Sequence, residues 1–96
     1  PGYWVHSLEH GYIVVLFDQN EADKRGWRPL FQLLMLAAPP SPMFGSRKLV
    51  ILPYVGLSHP LCLIAWNRQL YLDQIDFPVI LDFYVRYLDQ GPELEA

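Results

Sequence analysis

"GYIVVLFD", Gly11 to Asp18, is the stretch on which the fold turns. From Tyr12 to Phe17 it is apolar without alternation and rich in β-branched and aromatic side chains, and the polar pair Gln19 and Asn20 closes it. A half-exposed strand would alternate apolar with polar residues, so this run reads as a strand buried on both faces. Such a strand belongs inside a sheet that carries helices, and the elements on either side agree.

Downstream, Asn20 is expected to cap a helical turn beginning at Glu21, a pattern that Gly26 and Pro29 interrupt. Pro29 fits the opening turn of a second helix, from about Arg28 to Ala38. Gln32 is the only polar residue between Leu30 and Ala38, so this helix is expected to pack against a sheet or to be covered by a partner segment. The prolines of "PPSP", Pro39 to Pro42, end it. "RKLVILPY", Arg47 to Tyr54, and "PLCLIAW", Pro60 to Trp66, read as two further strands separated by a loop from Gly56 to His59. Asn67 and Arg68 make a turn into a short edge strand over Gln69 to Leu72. In the last helix Asp76 is the cap, Pro78 lies in the first turn, and Ile80, Phe83, Tyr84, Tyr87 and Leu88 fall on one face before Gly91-Pro92 stops it.

The order strand, helix, strand, strand, helix predicts a small single α/β domain over residues 1–96. Its sheet is mixed and three- to four-stranded, with helices packed on it. The first two strands are expected to be parallel through a right-handed crossover, and the third antiparallel to the second. The same order occurs in the second half of thioredoxin-like folds, an analogy of topology alone.

Composition narrows the function classes. Ninety-six residues with 52% apolar content suffice for one core and exclude a disordered tail. The net charge is −3, and Lys24, Arg25, Arg28, Arg47, Lys48, Arg68 and Arg86 are scattered instead of lying along one stripe, so no nucleic acid is expected as a partner. The longest apolar helical candidate, Leu30 to Ala38, is about half of the roughly 18 residues that a membrane span needs. The single cysteine, Cys62, permits no internal disulfide.

Immediately before the first strand stands "HSLEH", which spells His6-x-x-Glu9-His10, the inverted zinc-peptidase pattern of two ligating histidines and a water-activating glutamate. A peptidase needs those residues on a long helix. Gly11 and the strand leave Val5 to His10 little more than one helical turn. One turn still sets His6 and His10 side by side, because residues four apart are neighbours on a helix, and it brings Glu9 with them. An extended stretch would bring the two histidines together without Glu9.

With these motifs in place the chain resembles the domain of unknown function 3105 family, found mainly in bacteria and in some eukaryotic membrane proteins. The resemblance covers nearly the whole chain. Its marks are His6-x-Leu8-Glu9-His10-Gly11 running into an apolar strand, "LVILPY" as the middle strand, Ala65-Trp66 before a turn, Asp76 before the last helix, and "GPE" at Gly91 to Glu93. The family carries glycine after the Ala-Trp pair where this chain has Asn67, a mild change because asparagine tolerates the left-handed conformation. A Ser-Gly-Pro-His stretch typical of the family does not occur in these residues, so the chain is expected to be a fragment lacking the N-terminal part of the family domain. The resemblance implies an extracytoplasmic domain, membrane-tethered in the full-length protein through a segment outside these residues.

Imidazoles that converge beside a carboxylate suit zinc or copper. His6, Glu9 and His10 are therefore the candidate metal ligands, with Glu9 as third ligand or as an orienting partner. A further ligand is sought upstream or from Glu93, Asp73 or His59. Two other readings compete. In one the domain is an interaction or scaffolding module without metal, its histidines bonded to backbone carbonyls at the start of the strand, its contacts made by the apolar helix at Leu30 to Ala38 and the aromatics Tyr3, Trp4 and Trp66. In the other it is a zinc-dependent hydrolase with Glu9 as base. Cys62, flanked by Leu61, Leu63 and Ile64, is expected in the core and not as a nucleophile served by His59. Met35 is expected as core filler, Met43 as a loop residue, and Asp76 as a cap instead of half of a carboxylate pair with Asp73.

Overall fold

The computed structural model describes residues 2–96, and of Gly2 and Tyr3 only the backbone. The contact expected of the Tyr3 side chain lies outside the described residues. Eight elements follow in order: α1 (Gly2–Glu9), β1 (Ile13–Phe17), α2 (Gln19–Arg25), α3 (Arg28–Ala37), β2 (Leu49–Pro53), β3 (Leu61–Ala65), β4 (Arg68–Leu72) and α4 (Phe77–Tyr87). The four strands form one mixed sheet in the order β2-β1-β3-β4.

All five residues of β1 are buried, as its composition requires. It lies parallel to β2 and antiparallel to β3, and β3 continues antiparallel into β4. The third strand runs antiparallel to the second, as expected, but its hydrogen-bonded neighbour is the first. The reason lies in burial: β1 is apolar on both faces and takes a central place, whereas β2, more exposed along most of its length, takes the edge. The loop between β2 and β3 carries the chain back to the far side of β1.

The pleat sorts the strand residues cleanly. Ile13, Val15 and Phe17 join Leu49, Ile51, Leu61, Leu63 and Ala65 on one face, where α2, α3 and α4 supply Ala22, Phe31, Leu34, Ile80, Phe83 and Tyr84. Val14, Leu16 and Cys62 point to the other face, with Val50, Leu52 and Ile64 beside them. There α1 contributes Leu8 and Trp4, and Trp66, Tyr54 and Leu57 fill the remainder. One face thus carries three helices and the other a single short one.

Local signals hold with small corrections. The cap of α2 is Asp18, whose carboxylate accepts from the Glu21 amide at 3.0 Å, so the helix starts earlier than a cap at Asn20 would allow. Gly26 ends it in the left-handed region at φ 68°. α3 spans almost the expected residues with Pro29 in its first turn, but Leu33 and Leu36 are more than half exposed, so its second apolar face is bare. Asp76 caps α4 by accepting from Val79 N–H at 3.2 Å, the structural role expected of it. The helix stops before Gly91-Pro92: Leu88 is already extended, and Asp89 takes a positive φ of 60°. Asn67, at φ 62°, closes a two-residue turn between β3 and β4 in the left-handed conformation anticipated for it. Before β1, α1 begins as early as Gly2 and runs for eight residues, longer than the single turn expected around the histidines.

Candidate functional site

The end of α1 is built by contacts with the far end of the chain. Gly11 breaks out of the helix at φ 87°, and a side chain there would meet the Asp89 backbone at 2.6 Å from Cα. Gly91 lies so close under the Leu8 and Glu9 carbonyls that a Cβ would overlap the Glu9 oxygen. Both glycines therefore serve close backbone approach. In return the tail satisfies helix-end carbonyls: Glu93 N–H donates to Glu9 at 2.9 Å, and Asp89 N–H donates to Gly11 at 2.8 Å. The two sequence marks His6 to Gly11 and Gly91 to Glu93, eighty or more positions apart, are one clasp in space.

On the outer side of this clasp the helical period brings the two imidazoles together, with ring centroids 4.4 Å apart and planes at 77°. Nε2 of His6 and Nε2 of His10 are 3.1 Å apart. Nδ1 of His10 lies 2.5 Å from the Glu93 carbonyl, which only accepts, so Nδ1 is the donor in that bond. Nδ1 of His6 lies 3.3 Å from the Glu9 carboxylate, to which it donates. Glu95 Oε2 comes within 3.2 Å of His10 Nε2. His10 is largely covered, at 16% side-chain exposure, whereas His6 and Glu95 are about two-thirds exposed. The site is a shallow hollow at the surface, bounded by His6, His10, Glu93, Leu94 and Glu95.

Beneath the hollow lies a buried charge that the sequence left unremarked among scattered basic residues. The Lys48 side chain is fully buried, and its Nζ donates to the His10 carbonyl at 2.6 Å and to Asp89 Oδ1 at 2.7 Å. The Phe44 ring faces it at 4.3 Å and the Tyr12 ring at 5.2 Å. Ser41 donates to the second oxygen of Asp89. The Tyr84 hydroxyl donates to the Pro39 carbonyl at 2.7 Å and accepts from Lys48 N–H at 3.1 Å, and burial pushes its pKa up. This node ties the start of β2, the Pro39 to Phe44 loop and the end of α4 to the backbone of His10, so it sets where the second imidazole stands.

The remaining candidates lie elsewhere. His59 stacks on Tyr71 with centroids 4.6 Å apart and pairs with Asp73 at 3.4 Å, away from the hollow. Glu93 contributes its carbonyl to His10. The Glu9 carboxylate meets Nδ1 of His6, the nitrogen away from the space between the two Nε2 atoms; a hydrolytic base would have to face that space. Cys62 is buried under α1, and burial pushes its thiol up to about 11, a resting thiol and no nucleophile. Met35 packs against the core as filler, and Met43 is exposed in its loop. Trp4 meets Tyr54 edge-on at 6.2 Å and, with Trp66, closes the α1 face of the sheet. Among the described residues no three or more His, Cys, Asp or Glu side chains gather, as they lie, into a group that would hold a metal ion. Nor is any helix among them long and apolar enough to cross a membrane.

Comparison with known proteins places the chain in one family. It belongs to DUF3105, described as "Protein of unknown function (DUF3105)", whose family model matches residues 1–96. No curated protein and no solved structure matches it.

Proposed function

We propose that this domain binds a first-row divalent cation, zinc or copper, between Nε2 of His6 and Nε2 of His10, with Glu9 orienting His6. The observation that carries this reading is the pair of Nε2 atoms 3.1 Å apart, each ring having an acceptor at its Nδ1. At that distance either a proton or a metal cation can lie between the two nitrogens. Two nitrogens bound to one tetrahedral zinc at about 2.0–2.1 Å lie roughly 3.3 Å apart, close to the separation here. A backbone carbonyl on the second nitrogen of one histidine and a carboxylate on that of the other are the outer partners that metal-ligating imidazoles use. In the full-length protein the site is extracytoplasmic in this proposal, as the family resemblance implies.

Elemental analysis of untagged protein, set against the His6→Ala, His10→Ala double variant, tests it. Bound zinc or copper in the wild type and none in the variant is the expected result. Equal and negligible metal in both, with no uptake on titration, sinks the proposal and leaves a shared proton as the charge between the rings.

A second reading rests on a separate observation: Leu33 and Leu36 stand out on α3, at 53% and 70% exposure. Exposed leucines on one helix suit a protein contact, and this interaction reading is compatible with a bound ion. Loss of self-association or partner capture in Leu36→Glu, with the fold intact, is its test.

A further inference from the structure

The two edges of the sheet are guarded unequally, and we infer that at β4 a second copy of this chain adds, antiparallel and edge to edge. The other edge, β2, ends in Pro53, which has no N–H, and its first residue, Leu49, is buried. β4 has no such guard: Arg68 to Tyr71 are all exposed, and its register with β3 runs unbroken by any bulge. The phase of the hydrogen bonds tells which of its backbone groups are free. Asp18 N–H donates to the Pro60 carbonyl, so the even positions of β3 bond to β1 and the odd ones to β4. Leu61, Leu63 and Ala65 therefore bond to Leu72, Leu70 and Arg68, while Gln69 and Tyr71 turn N–H and C=O outward.

Symmetry and charge select the same strand as the occupant. A two-fold axis through Leu70 sets Gln69 opposite Tyr71 of the second copy, and Tyr71 opposite its Gln69. Every outward N–H and C=O of these residues then has a partner, and none is left over. Antiparallel pairing also lays the Arg68 end of each strand beside the Asp73 end of the other, opposite charges at both ends of the contact. Arg68 is exposed, and the Asp73 side chain, beside His59, is 84% exposed. Parallel pairing in register would set like charge beside like. On the α4 side of the sheet the axis brings Leu70 against its own copy. Leu70 is 38% exposed there and shares a shallow groove with Val79, Phe83 and Tyr87, which the second copy covers. On the opposite side Tyr71, stacked on His59 and 41% exposed, gains the second copy's Gln69 as its cross-strand neighbour. The sheet becomes continuous through both copies, and the contact is separate from the exposed leucines of α3.

The experiment is analytical ultracentrifugation of the 96-residue chain from about 10 μM to about 1 mM, a range that reaches weak dimers, with amide hydrogen exchange read at both ends. A monomer–dimer equilibrium is expected, in which the Gln69 and Tyr71 amides exchange more slowly as concentration rises and the Ile51 amide does not. Tyr71→Pro removes an N–H that the sheet of one copy does not use, so the variant folds and associates at least tenfold more weakly. Leu70→Lys sets two like charges on the axis with the same effect, and it carries the test if the proline variant fails to fold. Arg68→Asp weakens the dimer, and adding Asp73→Arg restores it. Leu36→Glu, on α3, associates as the wild type does. A wild type that stays monomeric over the whole range overturns the inference. So does a dimer that Leu70→Lys leaves unchanged, or one that Leu36→Glu abolishes while Leu70→Lys does not.

Discussion

The two polar clusters on either side of the His10 backbone obey opposite rules. The inner one, Lys48 with Asp89, is buried, and its charges find partners of the right kind: an ammonium meets a carboxylate, a carbonyl and two ring faces, and the second carboxylate oxygen meets the Ser41 hydroxyl. The outer one, His6 with His10, is open to solvent on one side, and its two Nε2 atoms meet at 3.1 Å, where one proton between them makes a hydrogen bond. A satisfied buried cluster stabilises one arrangement of the chain. An exposed pair of imidazoles contributes little to folding, and in the proposed function it is the part of the molecule that takes up a cation.

The contrast breaks or sharpens under mutation, starting with the largest effect. Asp89→Asn keeps a residue that accepts the positive φ but leaves the Lys48 ammonium buried without a carboxylate, at an expected cost of about 3–5 kcal/mol in urea unfolding. If that variant were as stable as wild type, the inner cluster would not be architectural. Gly91→Ala strikes the crossing shared by both clusters. Its Cβ overlaps the Glu9 carbonyl, so unfolding stability should drop by roughly 1–3 kcal/mol as the tail shifts, and metal uptake should weaken in the same sample.

A third buried polar group, Cys62, extends the comparison because it has burial without a charged partner. At neutral pH both folded and unfolded chains keep the thiol proton. As pH rises toward about 11 the unfolded chain loses it first while the folded chain retains it, so stability falls with rising pH through that window. The loss amounts to about 2 kcal/mol, and Tyr84, raised in the same direction by burial, adds to it at the alkaline end. Denaturation of wild type and Cys62→Ala between pH 8 and 11 measures the thiol's share as the difference in slope, which vanishes if the thiol titrates normally.

The smallest stability effects belong to the outer cluster. His6→Ala removes a mostly exposed ring and should change the stability of the metal-free protein by less than about 0.5 kcal/mol, while lowering zinc affinity by tenfold or more. Glu9→Gln keeps an acceptor for Nδ1 of His6, so its affinity loss should be smaller than that of His6→Ala. The reverse ranking would return Glu9 to the role of direct ligand.

How much of this could be read in advance follows from the distance over which each feature is determined. The five buried residues of β1, the proline in the opening turn of α3, the Asp76 cap and the left-handed Asn67 are set by neighbours within a few positions, where propensity and steric limits act directly. The adjacency of His6 and His10 is of the same kind, a consequence of the helical period. Asp18, not Asn20, caps α2 because both residue types cap well and the choice depends on where the preceding strand ends.

The amino-acid sequence by itself thus determined the α/β class, the central strand, the helix that ends the domain and the histidine pair. Only the tertiary structure decided that β3 pairs with β1, that Lys48 is a buried cation, and that a carbonyl and a carboxylate of the tail attend His10 from positions 93 and 95. The physical reason is range: the bond from His10 to Glu93 spans 83 positions, and Lys48 reaches Asp89 across 41. No local preference encodes such a meeting. It arises when the apolar faces of the sheet and helices close, and Gly11 and Gly91 are the two places where the sequence leaves room for it.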